Sequence, residues 1–262
     1  MRKISVVCPT FNSALFVENT LASVLTQKLP PHELIISDDG SSDNTVEVVE
    51  NYLRKYSVAF SWRVIRNSHR GPGATRNVGI LNAEADWIAF LDSDDLWEEN
   101  KLELIANAIN SNPDVNFICH DELCIEKNGN TFNLIYGDRY RLDRSLTSQL
   151  YLANMFSTSA VVCRRDLLIE HGGFDETLFS AQDYELWLRL SQSIRPLFVR
   201  KILGRYVIRE GNITSGNLLG RMRNELRVAW MHRAMVPPAL VITRFARIII
   251  SFLRQYVLAR LS

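Results

Sequence analysis

The stretch Ala85–Asp95, A-D-W-I-A-F-L-D-S-D-D, runs from a short apolar segment straight into a cluster of acids. Trp87 to Leu91 is the right length for a buried strand and short for a helix. Asp92, Asp94 and Asp95 then follow within four residues. Strand ends in open α/β sheets are where ligands bind, and three carboxylates at such an end repel one another unless a cation sits among them. Asp92-x-Asp94 supplies the hard oxygen donors that Mg²⁺ and Mn²⁺ prefer, with phosphate oxygens of a ligand completing the shell. The alternative is an Asp-rich turn in which Asp94 or Asp95 caps the next helix.

Upstream, the pattern predicts three more strand–helix units. Residues 3–8 form a strand stopped by Pro9, and Asn12 or Ser13 caps a helix with Ala14, Val17, Leu21, Val24 and Leu25 on one face. A strand over Glu33–Ser37 runs into D-D-G-S-S-D-N, after which Asn44 and Glu47 are spaced as a capping box for a helix bearing Val46, Val49 and Leu53. Ser61–Arg66 is the third strand, followed by H-R-G-P-G-A-T-R-N-V-G-I and a helix. This alternation predicts an α/β fold with parallel pairing and right-handed crossovers.

Downstream, the reading is a helix over 100–110, a strand over Val115–Ile125 entering a K-N-G-N turn, and a strand over Phe156–Cys163. A helix, the turn H-G-G-F-D-E, a helix over Gln182–Ser191 and strand pieces at 196–202 and 204–208 follow. Met222–Ala234 is helical, Pro237-Pro238 breaks it, and Ala239–Leu261 is a final helix. Residues 131–155 resist assignment.

The 262 residues suit one large domain, or one domain with an appendage. The net charge of +1 is uneven: Arg227, Arg233, Arg244, Arg247, Arg254 and Arg260 stand in 226–262 without an acid, and +1 less these six leaves −5 for 1–225. The basic tail points to an anionic surface. The four cysteines form no CxxC pair and read as reduced, which fits a cytoplasmic compartment. The first apolar run ends at Pro9, too short for a signal peptide, and no run of about 18 uncharged apolar residues predicts a membrane span. The sequon at Asn212 then carries no glycan.

Other candidates lie at predicted strand and helix ends. A carboxylate of Asp38-Asp39-Gly40-Ser41 can accept the imide N–H of uracil or a ribose hydroxyl, or the loop is a turn and cap. In Arg70–Arg76, Gly71 and Gly73 permit close backbone approach and either arginine can hold diphosphate charge. The spacing is not that of the dinucleotide fingerprint. Asp183 opens a helix, as N-cap or as a general base.

Five ordered motifs together resemble family 2 glycosyltransferases: S-V-V-C-P-T-F-N (5–12), L-I-I-S-D-D-G-S-S-D-N-T (34–45), G-P-G-A-T-R-N-V-G-I (71–80), W-I-A-F-L-D-S-D-D (87–95), and G-G-F-D-E followed by D-Y-E-L-W-L-R (172–189). The resemblance covers roughly residues 3–215 and implies a GT-A fold, a Rossmann-like mixed sheet sandwiched by helices. A nucleotide-sugar half over about 1–110 and an acceptor half over about 111–215 would make a catalytic domain of 1–215, with 216–262 a basic, amphipathic helical extension. The implied reaction is inverting transfer of a sugar from a nucleoside diphosphate, UDP first, to a hydroxyl of a glycan or lipid-linked acceptor. Carried over by position, Pro9, Thr10, Phe11, Glu18 and Asp39 line the nucleoside pocket. Arg76 lies near the diphosphate, Asp92 and Ser93 contact the donor, Asp92 and Asp94 hold Mn²⁺ or Mg²⁺, and Asp183 is the base.

Two departures stand out. Gln182-Asp183 replaces the usual Glu-Asp, and Tyr206-Val207-Ile208-Arg209 replaces Tyr-Arg-x-His, leaving Arg209 to meet phosphate. Cys119-His120-Asp121 with Cys124 reads as strand packing rather than a metal site, with His120 or Asp121 touching the donor sugar. In the last helix Thr243, Arg244, Arg247, Ser251, Arg254 and Gln255 form a narrow basic face beside a broad apolar one. That suits a helix lying in a membrane interface, the alternative being packing on the catalytic domain or on a second copy in a homodimer. Nucleic acid is not expected, because the basic face is small and lacks interleaved aromatics. The rivals are a sugar nucleotidylyltransferase or phosphotransferase using the same aspartates, and an inert sugar-nucleotide-binding subunit.

Overall fold

The computed structural model describes residues 2–209 and 217–261. The sequon at Asn212 lies outside them. Strands β1 (Ile4–Thr10), β2 (Glu33–Asp38), β3 (Ser61–Arg66) and β4 (Trp87–Phe90) pair in parallel, in the order β3-β2-β1-β4. Beyond β4 the sheet becomes mixed. Strand β8 (Val161–Arg164) lies antiparallel between β4 and β6 (Phe117–Ile125), and β6 runs parallel to β9 (Pro196–Val207). The short β5 (Leu96–Trp97) closes the order against β9, and β7 (Thr131–Leu134) forms the expected hairpin with β6.

Alternation along the strands divides the core into two layers. Val7, Ile35, Ile88 and Phe90 face one side, against α3 (Pro72–Asn82), α6 (Arg165–Glu170) and α7 (Gln182–Leu190). Val6, Leu34, Ile36, Ala89 and Leu91 face the other, against α1 (Val17–Leu25), α2 (Thr45–Lys55) and α4 (Lys101–Ser111). Burial on both faces explains the unbroken apolar run at 87–91.

Pro9 does not end β1, which continues to Thr10. The carbonyl of Val7 faces β4, accepting from Leu91 N, and Pro9 shares that orientation. Pairing with β4 has already ended at Val7, so the proline's missing N–H costs no ladder bond. Asn12 caps no helix: it sits at φ 48° and its Oδ1 accepts from Ser42 N, which delays α1 to Val17. The capping box at Asn44 does not form either; Asp43 Oδ1 accepts from Thr45 N instead. The two strand pieces at 196–208 are one strand, with a register shift opposite Asp121.

The unassigned 131–155 stretch holds β7, a 3₁₀ turn at Gly137–Arg139 and α5 (Leu146–Leu152). The strand predicted over 156–163 is reduced to β8, preceded by a 3₁₀ turn at Thr158–Ala160. Helices α8 (Leu218–Met231) and α9 (Pro238–Leu261) pack onto the first core layer through Val228, Ala229 and Ile248, joined by Val236 of the link between them. Among the described residues no helix is long and apolar enough to cross a membrane.

Candidate active site

The residues at the C-terminal ends of β1, β2 and β4 and the first turn of α7 line one cleft of about 1040 Å³. Pro9, Thr10, Phe11, Asp39, Arg76, Asp92, Ser93, Asp94 and Asp183 all line it. Glu18 does not. It is exposed on α1, whose buried positions Val17, Leu21 and Val24 turn it toward solvent.

Of the two strand-end acids on β2, Asp38 is spent within the fold, accepting from Thr10 Oγ1 at 2.9 Å and from Ser41 N and Oγ at 2.9 and 2.6 Å. Asp39 holds the next loop: its oxygens accept from Arg70 N at 2.8 Å and Gly71 N at 2.9 Å, and Oδ2 lies 2.9 Å from His69 Nδ1. The Phe11 ring stacks on His69, centroids 4.4 Å apart. Sequence reasoning passed over His69, although it directly precedes the Arg70–Arg76 motif. Gly71 is required here, with φ 90° and the Phe179 ring 3.1 Å from where a Cβ would stand.

On α3, Arg76 is buried and its Nη2 lies 2.5 Å from Asp92 Oδ1, with the guanidinium over the Phe174 ring. Its Nε and Nη1 have no partner among the described residues. Burial, then the neighbouring Asp92, push the Asp94 carboxyl up to about 6, against the pull of Arg209. Arg209 lines the cleft, donates to the Asp94 carbonyl at 2.8 Å and lies over Phe16.

Asp95 belongs neither to the cleft wall nor to a helix cap. It is buried, accepts from Ser159 Oγ at 2.6 Å and Val207 N at 3.1 Å, and ties β4 to β9. His120 and Asp121 are also buried in β6 and do not line the cleft. Asp121 instead accepts from Tyr136 N, and it is Tyr136 that reaches the cleft.

Asp183 is the second residue of α7 rather than its N-cap; Ala181 precedes the helix at φ 60°. Asn154 Nδ2 donates to Asp183 Oδ2 at 2.9 Å. Burial raises the Asp183 carboxyl above its ordinary range, opposed by the Tyr184 backbone bond, the charge of Arg76 and Asn154. Asn154 lies in the stretch the sequence left unassigned. Arg221 and Glu225 of α8 and Arg244 of α9 also line the cleft, so the C-terminal helices form part of its wall.

No group of three His, Cys, Asp or Glu side chains suited to a metal exists among the described residues. Two crowded carboxylates, Asp92 and Asp94, still fit a Mg²⁺- or Mn²⁺-type site. Such an ion typically takes one or two carboxylates plus phosphate oxygens, and it would relieve the repulsion that raises Asp94.

A half-parallel, half-mixed sheet with an open cleft over its strand ends is the GT-A fold. Residues 5–172 match the model of glycosyl transferase family 2, and the chain belongs to that family of glycosyltransferases. It is 29% identical over 229 residues to the GalNAc(5)-diNAcBac-PP-undecaprenol beta-1,3-glucosyltransferase of Campylobacter jejuni, covering 87% of this chain and 71% of that one. An uncharacterized glycosyltransferase of Haemophilus influenzae is 31% identical over 191 residues, 72% of this chain and 62% of its own. The chain thus spans between three-fifths and three-quarters of those relatives' lengths. Among solved structures, Staphylococcus aureus TarS 1-349 in complex with UDP-GlcNAc aligns with a TM-score of 0.71 at 23% identity, covering 94% of this chain and 71% of that chain. The mannosyltransferase PcManGT of Pyrobaculum calidifontis, in complex with GDP-Man and Mn²⁺, aligns at 0.67 and 18% identity, covering 94% and 70%. Both likenesses concern the fold.

Proposed function

We propose that this glycosyltransferase moves a sugar, with inversion, from a nucleoside diphosphate donor to a hydroxyl of a glycan or lipid-linked acceptor. The observation that carries the reading is the convergence of Asp183 and the Asp92/Asp94 pair on the wall of a single cleft. Phe11, Asp39 and His69 would receive the nucleoside, with uridine the first choice, beside Pro9 and Thr10. Arg76 and Arg209 would balance diphosphate charge, and Ser93 would contact the donor.

Asp183 would take the proton of the acceptor hydroxyl as that oxygen attacks the anomeric carbon. The bond from that carbon to the diphosphate oxygen breaks on the opposite face, and the diphosphate leaves with the electron pair. Asn154 would hold the carboxylate in position. A divalent ion at Asp92 and Asp94, Mn²⁺ or Mg²⁺, would supply charge neutralisation to the leaving diphosphate.

Residues 1–215 would be the catalytic unit, with the donor half at about 1–110 and the acceptor half at about 111–215. The acceptor class is supported by the undecaprenol-linked substrate in the Campylobacter relative's name. The outer face of α9 exposes Ile242, Ile249, Ile250 and Leu253 beside Arg247 and Arg254, and we read it as resting on an anionic membrane at the cytoplasmic side. Its inner face is occupied: Arg244 pairs with Glu225 of α8 at 2.9 Å and donates from Nη1 to the Leu152 carbonyl at 3.1 Å, so that arginine leaves the basic stripe.

The deciding experiment is a panel of nucleotide sugars with mixed acceptors, scored for nucleoside diphosphate release. Release of free nucleoside diphosphate with glycosylated product supports the reading. Pyrophosphate as product would point to a nucleotidylyltransferase, and donor binding without turnover to an inert subunit.

A further inference from the structure

Two buried polar atoms on the α7 side of the cleft have no hydrogen-bond partner among the described residues: Oε1 of Gln182 and Nε of Arg244. Both side chains belong to the cleft wall, at 6% and 8% exposure. A buried donor or acceptor left unmatched costs about 1–3 kcal/mol, so a fold keeps such groups where something else satisfies them. Their chemistry is complementary, since the amide oxygen accepts and the guanidinium Nε–H donates. A half-turn of the Gln182 amide exchanges its oxygen and nitrogen without removing either function.

Charge narrows what they recognise. Arg244 Nη2 meets Glu225 Oε2 at 2.9 Å, Nη1 donates to the Leu152 carbonyl at 3.1 Å, and the guanidinium lies over the Tyr184 ring. The glutamate cancels the local positive charge, and the remaining donor is a hydrogen-bonding group with no free cation behind it. A phosphate seeks uncompensated cations and accepts only. A sugar hydroxyl or acetamido group donates and accepts and carries no charge, which is what this pair offers. Gln182 and Asp183 open α7 and both line the cleft, so a ring held by Gln182 shares that cleft with the carboxylate.

We infer that Gln182 and Arg244, with Glu225 behind the arginine, form a subsite for a neutral sugar residue of the acceptor. The C-terminal helices complete this subsite, which the strands alone do not build. The inference rests on the reading of Asp183 as the base for the acceptor hydroxyl.

The test uses ligand-observed NMR on the full chain with UDP present. The probes are methyl β-D-glucopyranoside, methyl N-acetyl-β-D-glucosaminide and glycerol 3-phosphate. The full chain is expected to bind at least one glycoside. Gln182→Leu and Arg244→Lys should each weaken that binding tenfold or more, with UDP affinity unchanged. Arg244→Lys keeps a cation opposite Glu225 while removing the Nε–H. If thermal melting shows that it unfolds, Gln182→Leu, which disturbs no existing bond of Oε1, decides alone. Glycoside binding absent from the unaltered protein, or equally strong in the folded variants, overturns the subsite. So does preferential binding of glycerol 3-phosphate that falls in Arg244→Lys. Failure of the base assignment is separately visible, as unchanged turnover in Asp183→Asn with glycoside binding intact.

Discussion

The amide of Asn154 donates to Oδ2 of Asp183 at 2.9 Å, so a residue just after α5 orients a carboxylate at the start of a distant helix. That bond favours the ionised carboxylate, while burial disfavours it and prevails, leaving the group raised. A base works only when ionised, so kcat should rise with pH through a limb lying above the ordinary aspartate range. Asn154→Ala removes a stabiliser of the ionised form and should move that limb to higher pH. The check is a pH–rate profile of both proteins; coincident acid limbs would dissociate Asn154 from the base. Asp183→Asn itself is expected to lose roughly 10²- to 10⁴-fold in turnover with donor binding retained.

Metal dependence is the second expectation. Turnover should fall on addition of EDTA and return with Mn²⁺ or Mg²⁺, because Asp92 and Asp94 crowd together where a diphosphate would lie. Asp94→Asn should weaken the response to added metal in the same titration. Full turnover in EDTA would remove the ion from the reading.

Helix α3 approaches β1 so closely that a Cβ added at Gly79 would stand 2.4 Å from Val7 Cγ1. Alanine is the better helix former by about 1 kcal/mol, but forcing a methyl into a packed core costs about 1–3 kcal/mol. The clash should therefore prevail, and Gly79→Ala should lower stability. Denaturant titration measures it, and a rise in midpoint would contradict the close packing.

Glu185 fastens α7 to the C-terminal end of α8. It is 2% exposed, pairs with Arg189 on its own helix at 2.8 Å, and lies 3.0 Å from His232 Nε2 at the end of α8. Burial would raise its carboxyl, but the bonds from His232 and Arg189 outweigh it and hold the group below its ordinary range. A depressed carboxylate contributes stability above its unfolded pKa that is lost as pH falls through the folded one. Glu185→Ala should cost about 3–5 kcal/mol near neutrality, as for one partner of a buried pair, and less in acid. Thermal melts across pH will show whether the difference narrows.

Vesicle flotation examines the outer face of α9. Each arginine near an anionic surface contributes about 1 kcal/mol, so Arg247→Gln with Arg254→Gln should weaken binding to phosphatidylglycerol vesicles by tenfold or more. Equal flotation of both proteins would count against a membrane role for this face.

The sheet's first half and the acidic strand ends that line the cleft were legible because their signals are local. A buried parallel strand must be continuously apolar, and the chain must turn polar where it leaves the sheet, so Trp87–Leu91 followed by Asp92 and Asp94 announces both the strand and its end. Motif order then joined Asp39, Arg76 and Asp183 to them. Caps were less legible. Asn12 and Asn44 have the right chemistry for capping, but their neighbours Ser42 and Asp43 supply competing bonds that only the folded loop reveals.

The amino-acid order alone determined that an α/β sheet would end in acids, since strand periodicity and loop polarity are written along the chain, while the place of Asp183 beside them rested on the resemblance of ordered motifs. Tertiary structure decided which groups those acids meet. Ala85–Asp95 reads as three equivalent carboxylates, yet Asp92 faces Arg76, Asp94 lies under Arg209, and Asp95 turns inward to Ser159 and Val207. It also brought Asn154, Glu225 and Arg244 to the cleft and sent Glu18 to solvent. These pairings join residues far apart in sequence, and Coulomb and hydrogen-bond energies depend on distance in space, which no local pattern encodes.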